Sequence, residues 1–224
     1  MKISLARRVT AEGFGTAFLV AAVVGSGISA QRLSGGNAGL ALLINTIATG
    51  AALVALILTF GPISGAHLNP VVTLGAAISG RFPKRESLLY LIAQFTGGVA
   101  GAALANIMYS YPAFTPSQHV RSGGPQWISE FVATFGLILV IRGSSRSGLP
   151  AVAAAVGCYI AAAYWFTAST CFANPAVTIA RSLTDTFAGI RPTDVPFFLV
   201  AQIAGGGLAV LLSNWLVPEA LEKA

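Results

Sequence analysis

The chain has 224 residues, of which 55% are hydrophobic and only 9% charged; soluble domains carry about a quarter charged residues, so an aqueous globular protein is excluded. Thirteen Lys and Arg against seven Asp and Glu leave a net charge of +6, but the basic residues stand singly between apolar runs and form no stripe along which a phosphate backbone could lie, which excludes a nucleic-acid partner. Six membrane spans of about 20 residues use roughly 120 residues and leave room only for connections, so 1–224 reads as a single membrane domain.

In chain order, Met1 to Gln31 opens with Lys2, Arg7 and Arg8 ahead of an apolar run. A secretory leader begins in the same way, but this run outlasts a signal core and is interrupted by Glu12, so it reads as the first span. Apolar runs at about 9–31, 37–60, 86–108, 127–145, 149–171 and 194–217 are each long enough to cross a bilayer, and each is bounded by Gly, Pro or charge. Two shorter runs, Asn69 to Gly80 and Asn174 to Thr184, reach only half way through hydrocarbon at about 1.5 Å per residue and are predicted to be re-entrant helices. With the N-terminus inside, the inner segments hold Lys2, Arg7, Arg8, Arg81, Lys84, Arg85, Arg142, Arg146 and Lys223, and the outer ones Arg32, Arg121, Arg181 and Arg191. Nine of 13 on one side fits the positive-inside bias for an even number of spans with both termini cytoplasmic. Cys158 and Cys171 lie in apolar surroundings, where a free thiol acts as a small hydrophobe, so no disulfide is expected. His119 and Arg121, in a polar outer loop, are expected to be solvated.

The two halves repeat each other. Glu12 and Thr16 in the first span match Glu130 and Thr134 in the fourth, and Ala93-Gln94 with Gly97-Gly98 matches Ala201-Gln202 with Gly205-Gly206. Asn69-Pro70-Val71-Val72-Thr73 matches Asn174-Pro175-Ala176-Val177-Thr178, and the three offsets are 118, 108 and 105 residues. Repeat one covers about 1–110 and repeat two about 125–224. Because each holds an odd number of spans, the halves must be inverted in the membrane, with the functional site at the midplane between them. Asn is a favoured helix N-cap and Pro suits the first turn, so each Asn-Pro marks a helix start. Inversion brings the two starts together, and their dipoles, each about half a unit charge, disfavour cations while Asn69 and Asn174 offer amide donors to a hydroxyl oxygen. The Gln and Gly pairs read as interhelical hydrogen bonding and close backbone approach.

These motifs carry a resemblance to the aquaporin, or major intrinsic protein, family over nearly the whole chain. Ser64-Gly65-Ala66-His67-Leu68-Asn69-Pro70-Val71-Val72-Thr73 resembles its first signature, with Val71 where Ala is usual, and Asn174-Pro175-Ala176 resembles the second. The resemblance implies an all-α membrane protein of six transmembrane helices and two re-entrant half-helices. It also implies homotetramers with a pore in each protomer, and Glu12 and Glu130 as structural acids accepting hydrogen bonds from the re-entrant loops, although an ionisable group inside a span also fits a proton relay. A second constriction is implied by motif spacing at Thr49, Ala162, Cys171 and Val177. Family members usually carry Arg at the last of these; a ring of Thr, Ala, Cys and Val is small and uncharged and predicts a wide pore. Arg181, one turn along at about 6 Å, is expected in the outer vestibule, and His67 lines the inner pore or packs the loop. The altered filter resembles that of bacterial arsenite channels, and glycerol fits the same opening.

The expected function is thus a passive channel for small neutral solutes (polyols, metalloid hydroxides and water) in a bacterial inner membrane. An ordinary water-selective aquaporin is the alternative. A coupled transporter also uses inverted repeats, but apart from Glu12 and Glu130 the spans offer nothing to couple to. No His/Glu metal pattern, Gly-x-Ser-x-Gly or paired Asp occurs in the spans, so neither an enzyme nor a cofactor or metal is expected.

Overall fold

The computed structural model describes residues 3–216; Lys2, Lys223 and the last residue of the sixth apolar run lie outside the described residues. Among these, eight α-helices follow one another: α1 (Leu5–Leu33), α2 (Ala38–Ser64), α3 (Pro70–Ile78), α4 (Lys84–Met108), α5 (Gly124–Ser144), α6 (Leu149–Phe166), α7 (Pro175–Arg181) and α8 (Val195–Leu216). Six are long and apolar enough to cross a membrane, and α3 and α7 are the two short helices predicted from the Asn-Pro runs.

The helix ends follow local chemistry. Ser4 and Asn37 cap α1 and α2 by accepting the backbone N–H of Arg7 and Leu40, and α2 stops at Gly65, whose φ of 92° lies where a Cβ is unwelcome. The fifth span is shorter than its apolar run. It ends at Phe166, and the remaining residues form a loop in which Thr170 and Cys171 have φ of 59° and 53°, values no α-helix accommodates.

Packing repeats the sequence repeat. Helix α1 lies on α4 and α2, and α5 lies on α8 and α6. At Gly97 a Cβ would collide with the carbonyl oxygen of Gly13, and at Gly205 with that of Phe131, so both helix pairs meet backbone to backbone. Large apolar side chains such as Ile47, Leu88, Val200 and Leu211 point outward. A surface of this kind is stable only against hydrocarbon or another protein.

Candidate functional site: a cavity between two capped half-helices

The starts of α3 and α7 meet at the centre. Asn69 Oδ1 accepts from the Val71 N–H at 2.9 Å, and Asn174 Oδ1 from the Ala176 and Val177 N–H groups at 3.0 and 3.3 Å. Each amide nitrogen then reaches the opposite loop: Asn69 Nδ2 donates to Ala173 O at 2.7 Å and Asn174 Nδ2 to Leu68 O at 2.8 Å. An amide carries two donor hydrogens, so this exchange uses one from each Asn and leaves the second for the cavity that both line. Pro70 and Pro175 occupy the first turns. Val71 and Ala176 are buried, and Val71 packs against Val210 instead of facing the cavity.

The loops feeding these starts are strained in matching places. Ala66 and Leu68 have φ of 47° and 49°, and Cys171 and Ala173, the same steps before the second Asn, have 53° and 47°. Left-handed backbone costs a non-glycine residue roughly 1–2 kcal/mol. It persists because it aims consecutive N–H groups at a buried acid. Glu12 accepts from His67 N (2.9 Å), Leu68 N (2.7 Å), Ser64 Oγ (2.7 Å) and Gln94 Nε2 (2.8 Å). Glu130 accepts from Phe172 N and Ala173 N, both at 2.9 Å, and Gln202 Nε2 at 2.6 Å. The two Gln residues also donate to Thr73 and Thr178 on the half-helices. Each acid, Gln and Thr thus ties two spans to one re-entrant helix.

A cavity of 440 Å³ passes this centre. Towards the end of α7 it is lined by Thr49, Tyr164, Cys171, Val177 and Arg181, and towards the end of α3 by His67, Arg81 and Arg142. The structure thus gathers Thr49, Cys171 and Val177, but it corrects the fourth position of the ring. Ala162 is exposed on the outer surface of α6, and Tyr164 faces the cavity instead, its hydroxyl 3.2 Å from Thr49 Oγ1. The reason is helical phase: Val152, Val156, Ile160 and Tyr164 recur every four residues on the cavity side, and position 162 lies some 200° from 160 at 100° per residue. That stripe is visible in the sequence as a large apolar or aromatic residue at every fourth position. The wall is accordingly neither all small nor uncharged.

Arg181 is 1% exposed, not in an open vestibule. Its Nε donates to Ala188 O, and its guanidinium lies 3.4 Å from the centroid of the Phe172 ring. Arg121 also departs from expectation. It is buried, and its side chain donates to Gly189 O (2.8 Å), Ser169 O (3.1 Å) and Phe187 O (3.4 Å), while its own N–H reaches Asp194 Oδ2 (2.9 Å). Burial, and then Arg181, pull its pKa down to about 9. The sequence held no signal for this strap, whose acceptors are mainly backbone carbonyls. Cys158 is exposed on α6, and Cys171 is buried in the wall. At the α3 end His67 Nδ1 is 3.1 Å from Thr73 Oγ1, and its ring packs edgewise on Phe82 and Tyr90, so it both lines the cavity and packs the loop.

Six crossing helices, two capped half-helices and the cavity between them define a multi-pass membrane protein of the channel type. Residues 1–148 match the family model for major intrinsic protein. Over 219 residues the chain is 53% identical to aquaglyceroporin AqpS of Rhizobium meliloti (strain 1021), covering 98% of this chain and 94% of that one. It is also 30% identical to aquaporin Z of Bradyrhizobium diazoefficiens over 95% of this chain and 94% of that one. The X-ray structure of the aquaglyceroporin from Plasmodium falciparum superposes with a TM-score of 0.74 at 22% identity, over 99% of this chain and all of that one, and shares the fold. The chain belongs to the major intrinsic protein family.

Proposed function

We propose that this channel passes small uncharged polyhydroxyl solutes, glycerol and metalloid hydroxides such as arsenite among them, passively and through each protomer of a homotetramer in a bacterial inner membrane with both termini cytoplasmic. The observation that carries this reading is the paired centre: two amides, each with one donor hydrogen spent on the opposite loop and one left for the cavity. Solute hydroxyls can exchange water for these donors on one side while their carbon faces slide along Val72, Leu137 and Val156 on the other. At the outer ring Val177 leaves space that an Arg side chain would fill, which supports passage of solutes larger than water. The aquaglyceroporin name of the Rhizobium meliloti relative supports the same solute class, and the 9:4 distribution of basic residues supports the orientation.

The test is stopped-flow light scattering on proteoliposomes, comparing an osmotic water jump with inward gradients of glycerol and arsenite for the native chain and Val177→Arg. Solute re-swelling is expected in the native protein and should fall about tenfold or more in Val177→Arg, because the new guanidinium fills the ring and stands one turn, about 6 Å, from Arg181. Water flux with no re-swelling from any neutral solute would make this a water-selective channel.

A further inference from the structure

The position after the second Asn-Pro-Ala holds no charge, yet the cavity wall beside it does. Arg181 follows Val177 by one helical turn on α7, so the two side chains share a face, and both line the cavity with Thr49, Tyr164 and Cys171. The guanidinium is clamped, with Nε given to Ala188 O and one face laid on the Phe172 ring. The Arg121 guanidinium lies 5.0 Å from the centroid of that ring, and Arg121 itself donates to neighbouring carbonyls. Arg181 forms no salt bridge among the described residues. Its Nη1 is buried with no hydrogen-bond partner among the described residues. A charged N–H group withdrawn from water and left without an acceptor is costly. Among the described residues no group supplies the acceptor, and the open space next to the side chain is the cavity.

We propose that Arg181 is the solute-recognising cation of the outer constriction, acting from one helical turn away in place of the Arg missing at position 177, with Nη1 donating to a hydroxyl oxygen of the passing solute. The inference rests on the solute-channel reading above. Clamped against Phe172, the guanidinium keeps its charge at the constriction without projecting across it. Space and a fixed donor then coexist: Val177 and Cys171 admit the carbon skeleton, and Arg181 orients an oxygen. A positive charge that forms no salt bridge among the described residues also repels cations entering from outside.

The experiment compares native protein, Arg181→Ala and Arg181→Lys in proteoliposomes, with two readouts. The first is the permeability ratio of glycerol to 1,2-propanediol, which has one hydroxyl fewer. The second is sodium and proton leak under an imposed potential. Arg181→Ala should lower the ratio about tenfold, as expected for loss of one charge-assisted hydrogen bond, and should admit cations. Arg181→Lys keeps the charge but not the planar donor, so it should stay cation-tight while the ratio falls at least about threefold. A residue that merely straps the outer loop predicts slower flux of both solutes with an unchanged ratio, and that result in either variant would overturn the proposal. Should native liposomes fail to pass glycerol at all, the solute-channel reading itself falls; native glycerol flux with an insensitive Arg181 removes only this inference.

Discussion

Replacing Glu12 by Ala should unfold the first re-entrant loop before it affects anything else. Glu12 is completely buried, and its two oxygens accept from the His67 and Leu68 backbone, the Ser64 hydroxyl and the Gln94 amide. Alanine leaves four donors without that acceptor in a region water does not reach freely. At about 1–3 kcal/mol for each unsatisfied buried donor, the loss is roughly 4 kcal/mol even at the lower end. The strained backbone at Ala66 and Leu68 then has no reason to hold its left-handed form, and Asn174 loses the Leu68 carbonyl on which it rests. With about 2–4 °C per kcal/mol for a chain of this size, the thermal midpoint should drop by roughly 8–16 °C. Glu12→Gln keeps one acceptor oxygen and turns the other into a donor facing donors, so an intermediate drop is expected. Thermal unfolding of purified protein in detergent, followed by tryptophan fluorescence, measures the shift, and proteoliposome flux measures its consequence. A midpoint unchanged within about 2 °C in Glu12→Gln, together with native flux that follows a proton gradient and loses that dependence in the variant, would refute the structural reading and make Glu12 a proton carrier.

Further tests bear on the half of the cavity beside α7. Cys171 lines the cavity and Cys158 lies on the exposed surface of α6, so mercurials or methanethiosulfonates should slow solute flux in native protein and in Cys158→Ser but not in Cys171→Ser; block that survives in Cys171→Ser contradicts this assignment. His119, in the loop between α4 and α5, has its pKa lowered first by burial and then by Arg121 and Arg181, against a smaller opposing effect of Asp185. Its folded pKa therefore lies below the unfolded value of about 6.5, so its contribution to stability is fully present above that value and is lost as pH falls through the folded one. Proteolysis of the 112–123 loop should accelerate between pH 7.5 and 5.5 by a factor that His119→Gln flattens. Equal acceleration in both would locate the sensitive group elsewhere.

The parts of this protein legible in its sequence were those set by local pattern or by repetition. Six apolar runs fixed the spans because the bilayer sets their length, and Asn-Pro fixed the two short helix starts because the cap and the first turn are chosen by adjacent residues. The matching of Glu12 with Glu130, Gln94 with Gln202 and Asn69 with Asn174 pointed to inversion and to buried acids serving the loops, and in the structure these residues hold symmetric bonds. Tertiary structure decided what faces the cavity. A motif spacing counted back through a loop carries no helical phase, which is why position 162 points outward and Tyr164 points in. Arg121 and Arg181 read as outer-surface charges because charge and loop position are all a sequence displays. Their burial depends on the carbonyls of Ser169, Ala188 and Gly189 and on the Phe172 ring, partners that only the folding of the loops on both sides of α7 brings within reach.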